Sequence, residues 1–490
     1  MTQRRNNHIA AAIGKASKAP RAKLRGHRRR WPTFGSLTLS ASRLVTYAVS
    51  DFNRLTPMNY SLKNGQPTAK NPRAKSADRF NLPRVAAVGA ALAGLACASP
   101  AFAQDLPAET PADLLERIRP VGVRVGVFEI FPQVSADVGY DNNIYNREAF
   151  RLEDGFVRLR PSLTMDADFA RHDWRIGFSS EIIRHFDLTE EDSEQATAFV
   201  AGRLDLANRI TVSPTLSVAR RIERRGTFGD DVFTDEPIEY LQKYGSLSIA
   251  RTGARIEARG RVSYDERDYS NNSINGQPYD LTGRNVSKIA ARGALYYEVS
   301  QDFQVLAGAA YNSLQYETNP VMPRGSEGYS AFGGVRAQIT DLLDAELAVG
   351  FGRQEFENPA VDDFEGLDFE LTVRWTPKPR IQVTALGSRS MERSPSLDTA
   401  AVVQTRAGVA LQYALGTRML LGAEAEYNHD DFRGIDRAES RFTLGSSFRY
   451  LINDRLSTFL AGGYRSQSGK GLNAREYDGF SLRAGVTVAL

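Results

Sequence analysis

Between Leu367 and Trp375, apolar Leu367, Phe369, Leu371, Val373 and Trp375 alternate without a break with polar Asp368, Glu370, Thr372 and Arg374. Successive side chains of a strand point to opposite faces, so a period of two builds a ribbon with one greasy side and one charged side. Trp174, Ile176, Phe178 and Ile182 repeat the pattern against Arg175, Gly177, Ser179 and Glu181. So do Met419, Leu421, Ala423, Ala425 and Tyr427 against Arg418, Gly422, Glu424 and Glu426. The chain stops inside such a stretch, with Phe480, Leu482, Ala484, Val486, Val488 and Leu490 all on one side. No helical period persists anywhere after residue 123, so the fold class is all-β.

The connections alternate as strictly as the side chains. Tight turns are expected near Ala170–Asp173, Ala207–Asn208, Thr252–Gly253, Ser300–Asp302, Thr340–Asp341, Pro377–Pro379, Leu415–Gly416 and Asn453–Asp454. Between them lie longer polar stretches, among them 141–154, 224–237, 268–284, 428–437 and 466–476. Seventeen connections of this kind imply about 18 strands, the first near 129–140, two late ones near 417–427 and 455–465, and the last near 477–490. An even count, with short turns on one side and long loops on the other, is the pattern of a transmembrane antiparallel up-and-down β-barrel of 16–18 strands. Closure explains the flush C-terminus, because the last strand must pair with the first and leave no edge. A propeller would show four similar strands per repeat, and these hairpins do not resemble one another.

Bulk hydropathy is compatible with this. The mean of −0.37 would suit a soluble protein, yet a barrel averages its two faces. Charge is divided along the chain: residues 1–103 carry +16 and the whole chain +4, leaving −12 for residues 104–490. A basic nucleic-acid-binding reading therefore loses its support, and no nucleic-acid partner is expected. Beyond residue 103 the cations are 40 arginines and only Lys243, Lys288, Lys378 and Lys470. The single cysteine, Cys97, lies before that point, so no disulfide or thiolate site is expected.

The N-terminal region reads as targeting. Arg73, Lys75, Arg79 and Arg84 precede the apolar run Val85–Ala98, and Ala101-Phe102-Ala103 follows. Positive flank, short apolar core and an A-x-A site are the signature of a secretory signal peptide, with cleavage expected between Ala103 and Gln104. Residues 1–57 are expected to be a disordered extension or to precede the true start at Met58, leaving 58–103 as the signal region. Residues 104–122 form a short periplasmic lead, and the barrel occupies 123–490.

Turning the apolar faces to lipid commits the polar faces to a lumen. Arg158, Arg160, Arg175, Arg203, Arg259, Arg261, Arg292, Arg336, Arg374, Arg406, Arg441, Arg449 and Arg483 then line it, with Glu181, Glu257, Asp368, Glu370, Glu424 and Glu426. The opposite choice would place arginines in hydrocarbon at about 2–4 kcal/mol each near the midplane. Two consequences stand side by side: the charges guide a hydrated, hydroxyl-rich or anionic solute, or they pair and fill the space. Aromatic residues gather at both strand ends, Phe169, Trp174, Phe303, Trp375, Tyr413 and Tyr450 at one and Phe156, Phe186, Tyr264, Tyr311, Tyr427 and Tyr464 at the other, as interfaces favour. Pro132, Pro161 and Pro214 fall inside strands and imply bulges or strand starts there.

Catalytic signals are sparse. No HExxH, phosphate-binding or dinucleotide loop occurs, no cofactor or metal site is expected, and the chain is read as a non-enzyme. His429-Asp430-Asp431 is one possible acid–base cluster, set against a solvated loop tip. The acidic stretches 187–194 and 229–236 could hold divalent cations bridging lipopolysaccharide, or simply be soluble loops.

Phe131-Pro-Gln-Val-Ser-Ala-Asp-Val-Gly-Tyr-Asp-Asn-Asn-Ile-Tyr145, followed by Leu159-Arg-Pro-Ser-Leu163, resembles the β-barrel porin type 2 family of bacterial outer membranes. The resemblance implies a channel-forming barrel of Gram-negative bacteria, associated with polysaccharide export beside periplasmic export proteins. A general diffusion porin for small solutes, and a structural or rim-hydrolase barrel, are the alternatives. Arg483, Gly485, Val488 and Leu490 resemble the C-terminal signal read by the barrel-assembly machinery, with leucine in place of the usual final aromatic. Outer-membrane lipid and lipopolysaccharide would surround such a barrel.

Overall fold

The computed structural model describes residues 122–169, 172–206, 209–226, 232–317, 323–359, 361–393, 399, 401–471 and 473–489. Its strands are β1 (Val123–Val125), β2 (Phe128–Asp141), β3 (Asp154–Phe169), β4 (His172–His185), β5 (Ser193–Asp205), β6 (Ile210–Glu223), β7 (Ile238–Thr252) and β8 (Ile256–Tyr269). After β9 (Asn272–Ile274) and β10 (Gln277–Tyr279) come β11 (Val286–Ser300), β12 (Phe303–Tyr316), β13 (Ser326–Thr340), β14 (Leu343–Phe356), β15 (Phe364–Lys378) and β16 (Ile381–Arg393). The series ends with β17 (Ala401–Leu415), β18 (Met419–Arg433), β19 (Arg437–Asn453), β20 (Leu456–Gly471) and β21 (Tyr477–Ala489). Leaving out β1 and the small β9–β10 hairpin, 18 antiparallel strands pair each with the next and close on themselves.

Closure runs through β2. One of its edges pairs with β3 over its whole length, and the other pairs with β21 from Asp141↔Ser481 to Gln133↔Ala489. The stretch of that edge beyond Ala489 is taken by β1, from Val125↔Phe128 to Val123↔Ile130. The C-terminal strand is thus paired on both sides, with β2 and with β20, which satisfies the backbone groups that an open edge would leave bare in lipid.

The outward face carries the apolar half of each alternation. Leu216 is 64%, Leu367 60% and Leu295 59% exposed, and Val138, Val262, Phe351 and Leu482 are likewise bare. A continuous apolar face of this kind, paid out at about 25 cal/mol per Å² in water, marks a membrane-contacting surface. Among the described residues no helix is long and apolar enough to cross a membrane.

Three details differ from the sequence reading. Pro161 and Pro214 do not shift register: the ladder skips them on the β4 and β5 sides and resumes unchanged, from Leu159↔Ile182 to Ser162↔Ser179 and from Ala201↔Thr215 to Leu204↔Val212. Pro132 likewise stays in register, opposite Leu163. The irregularities fall instead at tight turns, for example between Gln338 and Thr340 and between Leu451 and Asn453. Phe156 points into the lumen beside Arg158 and is 9% exposed, rather than joining an aromatic belt; its ring lies across Gly139, where any Cβ would stand 2.3 Å from it. Finally, β18 and β20 run on to Arg433 and Gly471, so the expected loop 428–437 is a turn of three residues between long strands.

Candidate functional site

The inner wall is built by the parity of each strand. In β3, Val157, Leu159 and Leu163 are exposed outward, so Arg158 and Arg160 face in. The same parity places Arg175, Glu181, Arg203, Glu257, Arg259, Arg261, Arg292, Arg336, Asp368, Glu370, Arg374, Arg406, Glu424, Glu426, Arg441, Arg449 and Arg483 on the lumen side of their strands. Of the C-terminal residues noted for assembly, Arg483 and Gly485 face in and Val488 faces out, while Leu490 lies outside the described residues. Ala103 and Gln104, and with them the signal region, also lie outside them.

Many of these charges are paired. Arg158 sits 3.0 Å from Asp137 and 3.5 Å from Glu181, and Arg160 reaches the other Asp137 oxygen at 3.1 Å. Arg175 pairs with Asp166 at 2.6 Å, Arg203 with Asp205 at 3.1 Å and Arg259 with Glu257 at 2.6 Å. Arg336 donates to Glu346 at 2.8 Å, and the Arg336 and Arg259 guanidiniums flank the Tyr296 ring at 4.7 and 4.6 Å. Arg406 lies 3.5 Å from Glu426, and Arg441 binds the wholly buried Asp430 at 2.5 Å. Arg261 donates to Tyr244, Arg449 lies over Phe459, and Arg374 stands in register with Asp344. Ladder neighbours of opposite charge are the cheapest way to hold many guanidiniums on one wall.

Sequence reading named Glu181, Glu257 and Glu426 for the lumen and missed the larger part of these carboxylate partners. Asp137, Asp166 and Glu346 are on the same parity as the arginines they bind and were legible in principle. Asp430 and Arg465 were hidden, because the apolar alternation ends before the strands do: above the greasy band both faces turn polar while the ladder continues.

Loops narrow the long-loop end over part of the lumen. Asn143 and Asn146 are fully buried. Asn146 adopts φ +48°, a left-handed conformation that asparagine tolerates. Its amide donates to Arg225 O at 3.0 Å, and its side-chain oxygen accepts from Arg465. Arg465 also donates to Asp141 and to Asn143 O, each at 2.7 Å. Arg225 pairs with Glu191 and stacks on Tyr145 and Phe233 at 4.8 and 3.9 Å, while Tyr477 donates to Gly226 O at 3.0 Å. The Asp141–Tyr145 stretch that carried the family resemblance is therefore the keystone of this constriction. Burial holds the Glu191 carboxyl above its usual range, against the opposing effect of Arg225. The 270–285 loop also turns in, with Leu281 packed on Ile238, Tyr240 and Tyr269, and Arg284 3.3 Å from Glu223.

The outer face near the long loops carries its own charges: Arg220 on Glu239 at 2.7 Å, Lys243 on Glu266 and Asp268 at 2.8 Å, and Arg353 on Asp363 at 2.8 Å. His429-Asp430-Asp431 is not a cluster, because neighbours on a strand point apart: Asp430 faces the lumen, and His429 and Asp431 face out. His429 Nδ1 instead meets Ser440 Oγ across the ladder at 2.9 Å, and Tyr427 donates to the same hydroxyl at 3.1 Å. In the acidic 187–194 stretch three carboxylates are bound internally, Glu191 to Arg225, Asp192 to His185 N at 2.7 Å and Glu194 to Arg184. Among the described residues no group of three or more His, Cys, Asp or Glu is arranged to hold a metal ion.

Comparison with known proteins adds a family and a set of distant shapes. The model of the family described as "putative beta-barrel porin 2" matches residues 116–490. No curated protein matches the chain in sequence. Among solved structures, the FrpB iron transporter of Neisseria meningitidis in its apoprotein form is 9% identical, over 78% of this chain and 83% of that one, with a TM-score of 0.43. The siderophore receptor PirA of Acinetobacter baumannii is 8% identical, over 74% and 80%, at 0.40, and the ferric-catecholate import receptor Fiu of E. coli 9%, over 75% and 82%, at 0.40. Scores this low carry no argument about cargo.

Proposed function

This chain belongs to the family described as putative beta-barrel porin 2, and on that footing we propose that it forms a water-filled, non-catalytic channel through the outer membrane of a Gram-negative bacterium. One observation carries the reading: 18 strands close into a barrel whose outward sides are bare hydrocarbon and whose inward sides are arginine and carboxylate. Barrels of 16–18 strands are wide enough for an aqueous path. In this reading the tight turns face the periplasm, the chain is delivered by its signal peptide, and the barrel-assembly machinery inserts it among lipid and lipopolysaccharide.

The cargo we propose is a polysaccharide on its way out, handed over by periplasmic export proteins. The paired lumen charges support it, since a wall with fixed donors and acceptors and little net field suits a hydroxyl-rich chain. Purified barrel in a planar bilayer should give discrete ion currents, and deletion of the coding gene should remove surface polysaccharide. Discrete currents with unchanged polysaccharide and altered uptake of small solutes would replace export by general diffusion. The contact between Ser440 and His429 on the outer face favours one other reading, a rim esterase. Ester hydrolysis by the purified barrel, abolished in Ser440→Ala, would establish it in place of a non-catalytic channel.

A further inference from the structure

Between β11 and β16 the inner wall changes character. The inward residues of the intervening strands shrink to Gly308 and Ala310 on β12, Ser330 on β13, and Gly350 and Gly352 on β14. Over this low floor two ion pairs reach across from β11: Arg292 to Glu370 on β15 at 3.3 Å, and Lys288 to Glu392 on β16 at 3.7 Å. Three and four strands lie between the partners, so these are bridges over the wall rather than ladder neighbours. They bound a cavity of about 500 Å³, inside the range of about 300–1,000 Å³ usual for small-ligand sites. One large side chain interrupts the floor. The end of the Phe332 ring packs over Gly308, where a Cβ would meet it at 2.4 Å, and Arg292 covers the ring's face at 4.1 Å.

From this geometry we infer that the wall between β11 and β16 is a binding groove for an uncharged, hydroxyl-rich oligosaccharide. The inference rests on the channel reading and names the chemistry its lumen holds. Each bridge is one cation and one carboxylate, and the inward-facing Arg261 and Asp368 add one charge of each sign, while Arg353 and Arg389 border the cavity from positions of outward parity, so the inner face offers matched donors and acceptors and no net charge to select an anion. Both bridges are wet: Arg292 and Glu370 side chains are 48% and 63% exposed, Lys288 and Glu392 25% and 39%. Wet pairs contribute little and separate readily. Sugar hydroxyls can take their places, donating to the carboxylates and accepting from the guanidinium and ammonium, with each charged group still hydrogen-bonded. When Arg292 swings aside it uncovers the Phe332 face, a flat apolar platform for the C–H side of a pyranose ring. The glycine and alanine floor leaves room for the ring's thickness. For an anionic chain, repulsion from Glu370 and Glu392 offsets attraction to Arg292 and Lys288, so the matched pairs give charge no advantage and favour the neutral class.

The test uses the full barrel in a planar bilayer with maltohexaose as the probe. Maltohexaose should block the ion current in a concentration-dependent way, and the half-blocking concentration should rise at least tenfold in Phe332→Ala and in the double variant Glu370→Gln/Glu392→Gln. Heat-dependent electrophoretic mobility verifies that each variant is folded. Currents that maltohexaose does not block, or blocks equally in the variants, overturn the groove and leave the channel standing. Stronger block by an oligogalacturonate of equal length overturns the neutral class. If no current is seen at all, the channel reading fails, and titration calorimetry of maltohexaose into the folded barrel in detergent decides the groove by itself: binding lost in Phe332→Ala sustains it, and absence of binding ends it.

Discussion

Arg465 on β20 donates to Asp141 at the end of β2 across 2.7 Å, joining residues 324 positions apart in the chain. The contact exists only because β21 lies between those two strands and closes the barrel. Arg465 is 4% exposed and holds the first long loop over the lumen through Asn143 and Asn146 as well. Replacing it with alanine removes the tie and leaves Asn146 without its acceptor role. Arg465→Ala should give larger and noisier single-channel currents than the parent chain, recorded in the same bilayer. Unchanged conductance would mean that the loop lies off the conducting path.

Asp137 and Arg158 test the lumen as a source of stability. Their side chains are 0% and 3% exposed, and Glu181 is the second anion within reach of Arg158. Removing one partner of a buried pair leaves the other charge stranded, typically at a cost of about 3 kcal/mol or more. Asp137→Ala should therefore lower the urea midpoint of refolding into lipid, followed by tryptophan fluorescence. With Glu181 still present the loss should stand near the lower end of that range.

The assignment of faces can be tested by one pair of substitutions. Val349 points outward and is 45% exposed, whereas Thr372 faces in, in register with Glu346. Val349→Arg should destabilise the bilayer-inserted barrel by about 2–4 kcal/mol. Thr372→Arg should cost far less, having both water and a carboxylate beside it. Equal costs measured by equilibrium refolding would contradict the two-faced wall.

Asp235 should make the long-loop end sensitive to acid. Its carboxylate accepts from the Ser273 hydroxyl at 2.6 Å, and from the Gly276 and Asn275 amides at 2.9 and 2.7 Å. These bonds, the Ser273 hydroxyl foremost, hold it below the ordinary carboxylate range. A depressed value means that the loop contact is fully present above the unfolded-state range near pH 4 and is lost as pH falls through the lowered one. Hydrogen exchange of the 270–285 segment, corrected for intrinsic rates, should stay slow from pH 7 to 5 and accelerate below 4. In Asp235→Asn the protection should be weaker throughout and no longer depend on pH.

Much of the barrel is written in local pattern. The strand at Leu367–Trp375 is legible because the period of two is a property of adjacent residues, and lipid on one side with water on the other preserves it in strand after strand. The alternating run from Met419 stops at Tyr427 for the same reason. Beyond the greasy band the outward residues His429, Asp431 and Arg433 are polar too, so alternation disappears while hydrogen bonding continues to Arg433. Phe156 reads as a belt residue by its place near a strand end, and Gly139 on the neighbouring strand gives it an inward seat that no single-strand pattern records.

Strand number, the direction of each face and the closing of last strand on first follow from the sequence alone, since they depend on side-chain parity and on the need to leave no backbone group unpaired in lipid. Tertiary structure decided which charges meet. Arg292 finds Glu370 across three intervening strands, and Asp141 finds Arg465 through the closed seam. Such pairs depend on register, curvature and the path of the loops, and these are set by the whole ring of strands at once rather than by any stretch of neighbouring residues.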